Sequence, residues 1–372
     1  MVILPIGSGK GGVGKSLLAV NLAIAMAEAG RKVALADLDL GASNLHTMLG
    51  VRPTGQGIGT FLSVPRMHFS DIVLRTEYEG LSFIPGDAEI PGIANLKSAQ
   101  RQRLVRQLTS LEFDYLVLDL GPGTGASTLD FFLLAGSGIL ITTPTLTAIL
   151  NAYLFLKNAV FRLMYGAIEK TSRAWSILEE LRREASALQK AYVPRILERI
   201  GAEDRASRRR IDALLLRFRP RLVLNMLEDP RDAEKTERLL RSTREYLGVE
   251  LEQVGMIYRD DLQDIALGSR LPIIRYKPRS ILSLAVYRIA ERILEAKAEG
   301  SLVDAEKIGE EAETDFQLKR RDIEDLLHAG ALSTGDLVET VRSQLFELAA
   351  LRRENQLLKD KLRKAIQDGF SL

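Results

Sequence analysis

The sequence contains no cysteine, so disulfides, thiolate metal sites and thiolate-held iron–sulfur clusters are excluded across its 372 residues. Histidine is almost as scarce. His46, His68 and His328 are too scattered to form a ligand spacing, and no structural metal is expected. An excess of charge is missing too: 51 Lys and Arg stand against 49 Asp and Glu, so bulk charge selects neither for nor against a polyanionic partner. The first residues, "MVILPIGSGK", lack the basic region, apolar core and small-residue cleavage site of a signal peptide, which predicts a cytoplasmic chain. One uncharged run does exist, 26 residues from Phe131 to Leu156, nominally enough to span a bilayer. Within it Gly136, Gly138 and "TTPT" (142–145) separate a helix end, a short strand "GILIT" and a turn. A buried parallel strand is expected there, since such strands read as continuous apolar runs.

What is present is ample core material, 46% hydrophobic residues, in a repeating order. "VILPI" (2–6) reads as a strand, the glycine-rich segment after it as a loop, "SLLAVNLAIAMAEAG" (16–30) as a helix closed by Gly30, and "KVALADLDL" (32–40) as the next strand. This βαβ unit predicts a parallel sheet flanked by helices. "YLVLDLGPG" (115–123), "GILITTP" (138–144), "PRLVLNML" (220–227) and "VGMI" (254–257) continue the pattern. The predicted fold is therefore a doubly wound, mostly parallel α/β sheet. Residues 151–219, rich in Leu, Ala, Glu, Arg and Lys, read as a helical hairpin inserted into it. The domain is expected to close at 297. Residues 298–332 read as an acidic linker ("DAEKIGEEAETD") with a short helix, and 333–372 as a C-terminal helix opening at "STGD". No internal repeat or low-complexity tract is found.

The chemistry lies near the start. "GSGKGGVGKS" (7–16) fits G-x-x-x-x-G-K-[ST] from Gly9, a loop whose backbone N–H groups wrap phosphates beside a lysine and a Mg²⁺-binding hydroxyl. It follows a strand and opens a helix, as the motif requires; without a ligand the same residues would form only a glycine-rich turn. Asp39 and Asp119 each sit at the end of an apolar strand, at the edge where open α/β sheets bind ligands. A strand-end carboxylate of this kind is the usual Mg²⁺-facing acid of an NTPase. Lys15 suffices for an ordinary phosphate loop, which leaves Lys10 without a task of its own.

The residues "KGGVGKS", "DLDLGASNL" and "DLGPG" resemble the MinD/ParA superfamily of deviant-Walker P-loop ATPases over residues 1–297, with "DLGPGTGASTLDFFLLAGSGILITTPTLTAILNAYLFLK" most similar to the MinD/FlhG branch. The resemblance implies a P-loop fold of the SIMIBI type and an ATP- and Mg²⁺-dependent hydrolase that dimerises around ATP as a spatial or assembly switch. It places ATP on Gly9, Gly11, Gly12, Val13, Gly14, Lys15 and Ser16, with Mg²⁺ on Ser16 and, through water, on Asp119. Lys15 would bind the β- and γ-phosphates, and Asp39 would position the attacking water. Gly121 and Gly123 would let a switch loop reach the γ-phosphate, Asn225 would contact adenine, and Lys10 would act on the partner subunit's phosphates. Asn225 read from its strand position alone is a turn-forming asparagine. Asp37 is read as structural, facing away from Asp39 by strand alternation. The iron–sulfur carrier branch is disfavoured by the absence of a CxxC.

Two other features bear on partners. "RASRRRIDALLLRFRPR" (205–221) holds seven arginines, which would serve a ParA-like, non-specific DNA-binding partition ATPase or else form a solvated helix face paired with acids. In the tail, heptad position a falls on Val341, Leu348, Asn355 and Leu362, and d on Gln344, Leu351, Leu358 and Ala365. Glu347 and Glu354 at g face Arg352 and Lys359 at e, which predicts a parallel coiled coil; the alternative is a single helix docked on its own ATPase domain. A coiled-coil adaptor with residual ATPase activity would use the same segment to bind a protein partner. "KLRKAIQDGFSL" sets Leu362, Ile366 and Phe370 among Lys361, Arg363 and Lys364, a pattern for weak contact with anionic lipid and hence a peripheral place at the inner membrane or cell pole.

Overall fold

The computed structural model describes residues 1–52, 55–87, 96–183, 192–299 and 305–328. Eight strands form one sheet: β1 (Val2–Gly7), β2 (Val33–Leu38), β3 (Leu74–Arg75), β4 (Leu81–Ile84), β5 (Tyr115–Leu120), β6 (Ile139–Thr142), β7 (Arg221–Leu227) and β8 (Glu252–Tyr258). Their order is β3-β4-β2-β5-β1-β6-β7-β8, parallel throughout except where β3 meets β4. The sequence runs point to six of these strands. β3 and β4, two and four residues long, are too short to show a period. All six positions of β2 and of β5 are buried, because helices cover both faces and no side of the strand meets water.

The helices divide accordingly. One face carries α1 (Lys15–Glu28), α2 (Leu45–Met48), α11 (Leu262–Gly268), α12 (Ile273–Tyr276) and α13 (Ile281–Glu299). The other carries α3 (Ile58–Ser63), α4 (Ser98–Thr109), α5 (Ala126–Phe132), α6 (Leu146–Ala167), α7 (Arg173–Arg183), α8 (Val193–Glu203), α9 (Arg205–Arg217) and α10 (Ala233–Ser242). α1 is buried almost all round, and its one polar interior residue, Asn21, is satisfied: Nδ2 donates to Leu17 O (2.8 Å) and Oδ1 accepts from Ile274 N (3.1 Å). The connection from β1 runs towards β2 and that from its neighbour β6 runs the other way to β7, so a crevice opens at the C-terminal ends of these two strands.

Three expectations change. The inserted region contains parts of four described helices, α6 to α9, rather than one hairpin. Asp204 ties them together, accepting from Ser207 N (3.0 Å) at the start of α9 and from Ala174 N (3.4 Å) in α7. The stretch read as an acidic linker is helical, α14 (Ala305–His328), and the compact unit runs to Phe316 rather than to 297; a second unit is Gln317–Leu372. Ile308, Ala312 and Phe316, four residues apart, form the apolar stripe of its first half. Ala312 and Phe316 pack with Leu224, Leu227 and Tyr258, while Glu311 pairs with Arg288 and Arg292, and Asp315 with Arg288. A stripe this narrow is masked by the acids around it. No helix among the described residues is long and apolar enough to cross a membrane. The heptads, Asn355 and the terminal basic segment lie outside the described residues.

Candidate functional site

The loop between β1 and α1 is shaped by one local and two long-range ties. Ser8 Oγ donates to Lys10 O (2.7 Å), Gly123 N donates to Ser8 O (3.0 Å), and Asn225 Nδ2 donates to Val13 O (2.8 Å). Gly14 begins α1 in the left-handed region (φ 94°), and a Cβ there would collide with Asn225 Nδ2, so glycine is required on both counts. No side chain caps α1 among the described residues, which leaves its first N–H groups and the positive end of its dipole for an anion. Lys15 is buried beside them at 7% exposure, whereas Lys10, five residues earlier, is exposed.

Two carboxylates lie side by side beneath this loop, because β2 and β5 are paired with Asp37 opposite Asp119. They differ in their partners. Asp37 accepts from Ser43 Oγ (2.7 Å), Asp39 N (3.1 Å) and Leu45 N (3.3 Å), bonds that hold the turn after β2. Burial nevertheless pushes its carboxyl up to about 6. Both oxygens of Asp119 are buried without a hydrogen-bond partner among the described residues. Burial first, and Asp37 second, push it up to about 7, while the Ser16 hydroxyl and the Lys15 ammonium act in the opposite direction. A buried acid with two unsatisfied oxygens, next to a hydroxyl and an ammonium, has the donor chemistry to accept Mg²⁺ or its waters.

Asp39 lies just past the end of β2, half-buried, and a Cβ on Gly121 would come within 3.3 Å of its Oδ1. The strand-alternation argument for Asp37 does not hold, since residues two apart on a strand share a face. The two acids differ because β2 ends at Leu38, so that Asp39 hangs on Asp37 through its own N–H while its carboxylate stays beside the Gly121 turn.

The structure therefore brings Lys15, Ser16, Asp37 and Asp119 together, with Asp39 at the Gly121 end. Lys10, Gly11, Gly12 and Val13 instead line one end of a cleft of about 1130 Å³, which passes Thr143 to Leu146 and reaches Met226, Glu228 and Arg259 at the ends of β7 and β8. Asn225 is buried at 3% exposure with its amide nitrogen committed to the loop, a role that neither its turn reading nor its adenine reading included. Met226 and Thr143 were not singled out from the sequence; an apolar residue after a strand-end asparagine carries no local signal. Of the seven arginines, Arg208, Arg210 and Arg221 pair with Asp212, Glu169 and Glu252 among the described residues.

Residues 1–164 match the ParA family, in the form described as NUBPL iron-transfer P-loop NTPase. The antiactivator FleN of Pseudomonas aeruginosa is 26% identical over 296 residues, which cover 78% of this chain and 85% of that protein. The flagellum site-determining protein YlxH of Helicobacter pylori is 34% identical over 156 residues, 41% of this chain and 52% of that protein. Among solved structures, the septum site-determining protein MinD of Pyrococcus horikoshii, complexed with Mg-ADP, superimposes with a TM-score of 0.56 at 19% identity, over 81% of this chain and 99% of that one. Iron transfer finds no thiolate ligand in a sequence without cysteine.

Proposed function

We propose that this chain, whose residues 1–164 match the ParA family, is a Mg²⁺-dependent ATPase whose ATP-bound dimer positions a protein assembly. The observation that carries this reading is Asp119, a buried carboxylate with both oxygens unpartnered, set next to Ser16 and Lys15 at the start of a helix that no side chain caps. The backbone N–H groups of Gly11 to Ser16 would bind the phosphates, with Lys15 supplying a point charge and Asp39 orienting the attacking water. Ser16 would hold Mg²⁺ directly and Asp119 would hold it through water; the ion neutralises the charge of the phosphates. Phosphoryl transfer depends on positioning and electrostatic stabilisation, which this set of groups provides. Lys10, exposed and outside the cluster around Lys15, is free to reach the phosphates of a second subunit. FleN and YlxH, by name an antiactivator and a flagellum site-determining protein, favour positioning as the output.

The test is light scattering of the purified chain with ATP, with ADP and without nucleotide, each with and without Mg²⁺, alongside phosphate release. Mass should double with Mg-ATP alone and return as phosphate appears. Asp119→Asn should raise the Mg²⁺ concentration needed for half-maximal turnover by tenfold or so, one to two kcal/mol of metal interaction. An unchanged Mg²⁺ requirement in that variant would remove Asp119 from the metal site.

A further inference from the structure

Ser8 lies just past β1, fully buried, and is no part of the phosphate motif that opens at Gly9. Its two polar groups serve different loops. The hydroxyl donates to Lys10 O (2.7 Å), inside the glycine-rich loop, while the carbonyl accepts from Gly123 N (3.0 Å). We propose that Ser8 is the positioning residue of Lys10, a joint that ties this lysine to the Gly121–Gly123 turn, an inference that rests on the proposed reach of Lys10 to a second subunit's phosphates.

Lys10 needs such a joint because Gly9, Gly11 and Gly12 surround it, and a glycine loses more conformational freedom than any other residue when it takes one shape. Among the described residues, the Ser8 hydroxyl is the one side-chain group bonded to the backbone of Gly9 to Gly12. That bond sets a peptide plane: with the Lys10 carbonyl turned to Ser8, the Gly11 N–H across the same trans peptide points the opposite way. The exposed lysine side chain thus leaves from a fixed base.

The other half of the joint is equally defined. Gly123 takes φ 84°, a left-handed conformation suited to glycine, and presents its N–H to Ser8. In the same turn, Pro122 would lie 3.9 Å from a Cβ on Gly11, and Asp39 Oδ1 would lie 3.3 Å from a Cβ on Gly121. The turn therefore lies against the loop at one point and against the acid at another. When a γ-phosphate draws that turn towards itself, Ser8 and the Lys10 carbonyl move with it, and ADP provides no such pull.

The experiment compares the full-length protein with its Ser8→Ala, Lys10→Ala and doubly substituted variants. Calorimetric titration with Mg-ADP gives affinity, and phosphate release from Mg-ATP with enzyme in excess, followed for hours, gives the rate of a single turnover. Ser8→Ala should bind ADP within about twofold of wild type and release phosphate about tenfold more slowly, about 1.4 kcal/mol in the barrier. Added to Lys10→Ala, it should slow release by less than about twofold more, because a positioning residue acts through the lysine that it positions. Equal loss of ADP affinity and release rate in Ser8→Ala would make the serine a part of the phosphate loop's own framework and overturn the proposal. Losses that multiply in the double variant would overturn it too, as would a Ser8→Ala rate equal to that of wild type. Wild-type protein that releases no phosphate from Mg-ATP would overturn the ATPase reading itself, an outcome distinct from a variant that matches an active wild type.

Discussion

Lys15 and Asp39 lie on different elements of the candidate site, and their surroundings predict different losses. Lys15 is buried at the start of α1, where its charge has no substitute within the loop. Lys15→Ala should abolish nucleotide binding. Asp39 lies beyond the strand, beside the Gly121 turn and outside the glycine-rich loop. Asp39→Ala should therefore keep ATP affinity within a few-fold and lose turnover by a hundredfold or more, the usual scale for a group that orients a reacting water. Equilibrium ATP titration and single-turnover phosphate release on both variants check this; equal loss of affinity in the two would end the division of roles. The identities of Lys15, Asp39 and Asp119 were legible in the sequence because each belongs to a contiguous motif. The pairing of Asp37 with Asp119 was not, because it depends on the register between β2 and β5.

At the scale of elements, α14 is the surprise, since its acids suggest solvent and its stripe does the packing. Ile308 is 2% exposed, and Ala312 and Phe316 continue the same line against the ends of β7 and β8. Ile308→Ala should lower unfolding free energy by about 2–4 kcal/mol, transfer and cavity terms together, read as a shift in urea midpoint. A shift worth less than about 0.5 kcal/mol, the scale of an exposed substitution, would mean that the helix is not docked in solution. Removal of everything after residue 300 should uncover Leu227 and Tyr258 and lower the midpoint further, whereas ending the chain at Phe316 should preserve it. Arg292 adds a polar anchor to this contact, with its guanidinium donating to Val254 O (3.0 Å) and pairing with Glu311. The notion of a domain ending at 297 came from composition, which records that a segment is acidic but not which of its faces is apolar.

For the whole molecule, the proposal to test is that two copies meet around ATP. Lys10 is exposed and has no shared task with Lys15, so Lys10→Ala should leave ADP affinity nearly intact and eliminate ATP-dependent dimerisation. The variant is best compared in a chain ending at Phe316, so that the tail cannot join the copies by itself. Sedimentation that still shows an ATP-dependent dimer like that of its parent would rule out the trans role. The tail has its own test at Asn355, an a position of the proposed coil. A buried asparagine there lowers coil stability while selecting a parallel pair in register. In the isolated segment 333–372, Asn355→Leu should melt higher, with about 1–3 kcal/mol gained as apolar contact replaces an imperfectly satisfied amide, and should populate trimers or mixed registers. A wild-type segment that stays monomeric and unfolded at high micromolar concentration would rule out self-association.

The parallel sheet, the glycine-rich loop and the strand-end acids were readable because each is written in neighbouring residues: a run of apolar positions, a spacing of glycines, an acid where a strand stops. Backbone geometry over a few residues is enough to make those readings. Contacts between distant residues arise only when the chain packs. Asn225 holds Val13 across 212 positions, Asp119 is buried opposite Asp37, and the register shift between Leu224 and Leu227 leaves Met226 exposed at the cleft. Such features depend on how strands align and which helix covers them, and a short window of chain contains no term for either.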